Sequence, residues 1–122
     1  MREHAVVFDM YGSALSWHRG ISPVEIQDSR ALWDTLWEHR CTVGGVAHSH
    51  PGYDDVPTPS ATDLTTFSAI ERGLGRRLLW PIVNGAAINY WGAMSMDFDI
   101  NLLVLPRWIK LLTELRERSW TT

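Results

Sequence analysis

Cysteine is nearly absent: Cys41 is the single one in 122 residues. One thiol cannot close an internal disulfide, and it cannot supply a Cys-rich zinc site or the Cys-x-x-Cys of a zinc deaminase. A reducing, cytoplasmic setting is the expectation. Positive charge is not in excess either. The net charge is −3 with Lys and Arg scattered, which leaves no electrostatic footprint for nucleic acid. No window reaches about eighteen uncharged apolar residues, so no membrane span is expected. The opening "MREHAVVFDM" carries Glu3 and Asp9 where a signal peptide would need an apolar core. Internal repeats, low-complexity tracts and linkers are missing as well. What remains is ordinary, 45% hydrophobic and 20% charged, so residues 1–122 read as one globular domain with a real core.

Apolar periodicity and turn residues lay out the elements. "AVVFDMYG", Ala5 to Gly12, is β-prone, and a strand is expected from about Glu3. "SALSWHRG" follows as a turn or a second short strand. "SPVE", Ser22 to Glu25, has the form of a capping box with proline at the first helical position. The helix it opens should run to about Arg40, with Leu32, Trp33, Leu36 and Trp37 as its buried stripe. "CTVGGVAH" reads as a strand whose glycines admit a close neighbour, with Cys41 buried at its start. Ser60 caps the next helix, and Leu64, Phe67, Ile70 and Leu74 carry its apolar face. "RLLWPIV" and "AAINYWGAM" are strands joined by Asn84-Gly85, a strong hairpin signal. "FDINLLVL" adds one more strand. "PRWIKLLTELRERSW" closes as a helix with Trp108, Leu111, Leu112 and Leu115 inward. Together these give an α/β domain, layered α-β-α around a mixed, partly antiparallel sheet. Seven tryptophans are many for this length, and core packing is expected for most of them, with Trp17 and Trp91 as candidates for an exposed anchor.

The chemistry concentrates between Val46 and Asp63, "VAHSHPGYDDVPTPSATD". His48 and His50 are two apart at a strand end, so both side chains leave the same face. Neutral imidazoles at that spacing can share one Zn²⁺, and Asp63 in the first turn of the next helix can add a third ligand. Three protein ligands leave a fourth position for water, as in hydrolytic zinc enzymes. A general base must then come from elsewhere in the chain. His4, His18 and His39 are expected on the solvated surface. Asp54 and Asp55 lie in the intervening loop, and solvation is the expectation there too.

His-Ser-His-Pro, a loop, then Ser-x-x-Asp resembles the JAMM motif of the JAB/MPN metalloproteases. That family also has a glutamate at the start of its first strand, and Glu3 stands forty-five residues before His48. The resemblance implies the JAB/MPN fold, whose layering is related to that of cytidine deaminases. It implies His48, His50 and Asp63 as zinc ligands, Glu3 as the base that activates water and then protonates the leaving amine, and Ser60 as the donor to the oxyanion. Such a donor is typically worth about 2.7–4 kcal/mol. Glu25 and Glu38, both placed on the predicted helix, are the alternative bases. The nine residues Pro51 to Pro59 exceed the usual family spacing by about two, a small entropic cost for a surface loop. Glu3 sits near a chain end, where fraying is expected. The activity implied is hydrolysis of the amide bond after the C-terminal glycine of a ubiquitin-like, β-grasp protein or its conjugates, in a small prokaryotic form. Activating and conjugating enzymes of the same operon are the further partners implied, and neither nucleic acid nor membrane is. Two alternatives stand beside it: a non-catalytic MPN scaffold, and a peptidase that frees a small amino acid from a carrier protein.

Overall fold

Side-chain alternation along two central strands sets the architecture. In β1 (His4–Asp9) Ala5 and Val7 turn to one face and Val6 and Phe8 to the other, and all four are buried. Every residue of β4 (Val43–Ser49) is buried as well. Strands of this kind need a layer on each side. The computed structural model describes residues 1–22, 25–26, 29–53, 55–93 and 106–120. Within these, β2 (Ala14–Ser22), β3 (Glu25–Ile26), β5 (Trp80–Val83) and β6 (Ile88–Trp91) complete a six-stranded sheet ordered β3-β2-β1-β4-β5-β6. Pairing is antiparallel throughout except between β4 and β5, where α2 (Ala61–Leu74) makes the crossover.

Helices cover both faces, which gives the α-β-α layering and mixed sheet that the sequence predicts. On one face α3 (Pro106–Trp120) packs Trp108, Leu111, Leu112 and Leu115 against Val6, Phe8 and Ala47. Trp108 meets Phe8 edge to face with ring centroids 5.0 Å apart. On the other, α1 (Ser29–Glu38) and α2 bring Leu36 and Phe67 onto Ala5, Val7 and Val46. Phe67 stacks on Trp80 at 4.2 Å. Gly45 is required where β4 passes β5, because a Cβ there would run into the carbonyl of Leu79. None of the described helices is long and apolar enough to cross a membrane.

Several local expectations give way to tertiary structure. The helix expected from Ser22 begins at Ser29 instead, since Ser22 ends β2 and Glu25 and Ile26 pair with it as β3. Ladder hydrogen bonds override the capping signal, and Glu25 is a strand residue. Trp37 is exposed at the rim of α1, stacked on Trp33 and covered by the Arg40 guanidinium 4.5 Å above its ring. Leu64, in the first turn of α2, is exposed too. Cys41 lies exposed in the turn ahead of β4 rather than buried in it. His4, expected in solvent, is buried under α3 with its Nδ1 2.9 Å from the Arg2 carbonyl. Of the seven tryptophans only Trp80 and Trp108 are fully buried, and Trp17 is half-covered by the Arg118 guanidinium 3.9 Å from its ring. The β5–β6 connection is a hairpin, but it spans 84–87 rather than a two-residue turn. Asn84 closes it by accepting the amides of Ala86 and Ala87 on Oδ1, and Gly85 is needed because the Tyr53 ring fills the space of a Cβ. The strand expected at "FDINLLVL" lies outside the described residues.

Candidate metal centre

Register brings the site together. Ala5 stands opposite His48 in the antiparallel β1–β4 ladder, so the same register carried two steps further sets Glu3 against His50. Because side chains alternate, Glu3, His48 and His50 then share the face covered by α2. The histidine Nε2 atoms are 2.9 Å apart, and a Glu3 oxygen belongs to the same cluster, with all three donor atoms within 4.8 Å of one another. From across the crevice, Asp63 Oδ2 comes to 3.0 Å of His50 Nε2 and 3.4 Å of His48 Nε2.

Asp63 is aimed by the start of its helix. Ser60 is the N-cap of α2, with its Oγ accepting the Asp63 amide at 3.0 Å while Asp63 Oδ2 accepts the Ser60 amide at 2.9 Å. This reciprocal capping box fixes both side chains at the positive end of the helix. The Ser60 hydroxyl receives that bond on an oxygen lone pair, so its hydrogen can still be donated. Glu3, for its part, is tied down. Its carbonyl accepts from Gly20 at 2.8 Å, and its neighbours Arg2 and His4 donate their amides to the Ser119 carbonyl and to Ser49 Oγ. The fraying expected of this segment is opposed by those three bonds.

The four groups carry distinct charge states. Burial pushes the Glu3 carboxyl up to about 7, with the nearby His50 pulling it back and the Asp63 charge adding to the rise. Burial also lowers His48, against the pull of Asp63, which favours a neutral ring. His50 is raised, chiefly through its hydrogen bond to Asp63. Burial works to raise Asp63, but bonds from both imidazoles and from the Ser60 amide outweigh it and hold the carboxyl well below its usual range. Asp63 is thus a permanent anion beside two imidazole nitrogens, whereas Glu3 exchanges its proton near neutrality.

A tetrahedral zinc with bond lengths near 2.0–2.1 Å sets its ligand atoms about 3.3 Å apart. The 2.9, 3.0 and 3.4 Å separations among His48, His50 and Asp63 fit that triangle, and two imidazoles with a carboxylate are a donor set zinc accepts. Residues 4–97 match the family described as prokaryotic homologs of the JAB domain, which is 94 of the 122 residues. The chain belongs to that family. No curated protein matches it. The JAB match takes in His48, His50, Ser60 and Asp63, begins one residue after Glu3, and ends before α3. Glu3, outside the matched residues, is brought to the site by the strand register and the donor distances.

Of the residues that the sequence singles out, Glu3, His48, His50, Ser60 and Asp63 converge here. Glu38 stands exposed at the end of α1, and Asp55 is exposed. Asp54 falls outside the described residues. The anchors of the 51–59 loop emerge only from the structure. Asn84 Nδ2 donates to the Asp55 carbonyl at 2.6 Å, Asn89 Nδ2 to Pro57 at 2.9 Å, and the Gly85 amide to Gly52 at 2.8 Å. The hairpin thus holds the extended loop beside the site. Two asparagines near a hairpin carry no signal that separates loop anchors from ordinary turn residues.

Proposed function

We propose that this JAB-domain protein is a zinc-dependent peptidase that hydrolyses the amide bond after the C-terminal glycine of a ubiquitin-like protein. The observation that carries the reading is one buried carboxyl, Glu3, with an oxygen within 4.8 Å of the ring nitrogens of a histidine pair that has its own anion. His48, His50 and Asp63 would hold the metal, and a bound zinc supplies an acidified water and a polarised carbonyl. Glu3 takes a proton from the attacking water and returns it to the leaving amine. A group with a pKa near 7 serves both transfers at neutral pH. Ser60, fixed by the capping box, turns its free hydroxyl hydrogen to the oxyanion as it develops. Asp63 suits the ligand role better than Glu3, since its hydrogen bonds hold it well below the usual carboxylate range while burial raises Glu3.

Retention of every donor supports an enzyme over an MPN scaffold, which has no need for a desolvated, half-protonated carboxyl. A ubiquitin-like substrate would present an extended tail, and β6, at one end of the strand order, exposes Trp91. The test is turnover of a ubiquitin-like protein fused through its terminal glycine to a reporter. Glu3→Gln should keep about one zinc per chain and lose roughly 10²–10⁴-fold in kcat. Wild-type kinetics in that variant would remove Glu3 from the reaction, and no cleavage by the zinc-loaded wild type would favour the scaffold.

A further inference from the structure

Between His48 and His50 stands Ser49, whose side chain turns to the opposite face of the sheet and is fully buried. Its Oγ accepts the His4 amide at 2.9 Å, standing in for the backbone acceptor that a regular ladder would offer. The Oγ of Ser119, also fully buried near the end of α3, is 2.7 Å from Ser49 Oγ and 2.8 Å from the Leu115 carbonyl. Each hydroxyl has one hydrogen. The His4 amide donates to Ser49, the single Ser119 hydrogen lies within reach of both Ser49 Oγ and the Leu115 carbonyl, and the Ser49 hydroxyl faces the His4 carbonyl at 3.5 Å. The Ser119 carbonyl takes the Arg2 amide at 2.8 Å. Both residues flanking Glu3 are therefore held by this serine pair, Arg2 through the Ser119 carbonyl and His4 through the Ser49 hydroxyl, while Gly20 donates to the Glu3 carbonyl from the neighbouring strand.

We propose that Ser49 and Ser119 form a hydroxyl clamp by which α3 positions Glu3 over the histidine pair. They are positioning residues, because neither reaches the reacting face. The kinetic part of the proposal rests on the peptidase reading above. The α3 half of the clamp lies outside the residues that match the JAB family, so this chain supplies it from its own C-terminal helix. A buried hydroxyl pair can hold a strand in this way because it is fully satisfied, short, and fixed by packing on every side.

The variants are Ser119→Ala, Ser49→Ala and Ser49→Thr, with Ser119→Ala also made in the Glu3→Gln background. Ser119→Ala should keep zinc at about one per chain and KM unchanged. Exchange of the His4 amide should quicken on the order of tenfold, and kcat should fall roughly 10- to 100-fold, as a misplaced group brings about. Ser49→Ala should do the same, while Ser49→Thr, which keeps the hydroxyl, restores both. In the Glu3→Gln background Ser119→Ala should change kcat no further, because both losses pass through one carboxylate. Wild-type exchange at His4 in Ser119→Ala overturns the clamp, and so does an equal loss of kcat with and without Glu3. Exchange needs no turnover. In a protein that binds zinc and cuts nothing, the peptidase reading fails, and the His4 amide alone supports or overturns the clamp.

Discussion

His48 and Ser49 are neighbours on β4, yet they look out on two different environments. On the α2 side His48 joins His50, Asp63 and Glu3, four groups with displaced proton affinities along a crevice edge. On the α3 side Ser49 meets the Ser119 hydroxyl and the His4 amide, on the face whose core is built from Val6, Phe8, Ala47 and Trp108. One face is arranged to change charge and the other to stay put. Strand alternation gives adjacent residues to each, and the rigid side holds the register that brings Glu3 opposite His50. Displaced proton affinities of this kind persist only where packing elsewhere prevents the groups from relaxing into solvent.

The contrast breaks most sharply where the metal is removed. A His48→Ala, His50→Ala double variant should fall from about one zinc per chain to none by elemental analysis and lose all measurable turnover, with its fold intact by circular dichroism. Full zinc content in that variant would mean that the metal binds elsewhere. A large change on the other face should act in the opposite sense. Trp108→Ala empties a fully buried indole position against Phe8 and should cost about 3–5 kcal/mol of unfolding free energy. The surviving folded fraction should still bind zinc. Loss of metal in step with loss of stability would show that the two faces are one cooperative unit.

Most of the fold could be read from the chain, because the core strands are apolar runs and two of the three described helices start where the sequence predicts, α2 at its Ser60 cap and α3 at Pro106. The exception is instructive. Ser22 to Glu25 has a good local helix signal, but β2 runs on to Ser22 and recruits Glu25 and Ile26, a pairing that no short window reveals. Exposure defeated other readings: Trp37 and Leu64 keep helical spacing and are nonetheless exposed, near the end of α1 and in the first turn of α2. The site was legible for a different reason. A metal's ligands must sit at fixed separations, so the spacing of His48, His50, Ser60 and Asp63 leaves a trace in the sequence. Ser49 leaves none. It occupies the spacer position of His-Ser-His, and its partner Ser119 is seventy residues away, related to it only through the packing of α3.

The smallest of these effects separates the faces by charge alone. With zinc removed by a chelator, the folded protein holds a proton on Glu3 up to about pH 7, whereas in the unfolded chain that carboxyl ionises near 4.5. Between these values the folded state binds the additional proton, so the contribution of this carboxyl to stability is greatest at low pH and declines as pH rises through the window. Above pH 7 the decline is complete. Gln cannot ionise. Glu3→Gln should therefore unfold with nearly the wild-type midpoint at pH 4 and at a higher urea concentration than wild type at pH 8, measured on metal-free protein. Ser119→Ala should show no such slope, because a hydroxyl does not titrate across that range. A Glu3→Gln difference that stays flat from pH 4 to pH 8 would mean that water reaches the carboxyl, and the contrast between a charge-changing face and a fixed one would be lost.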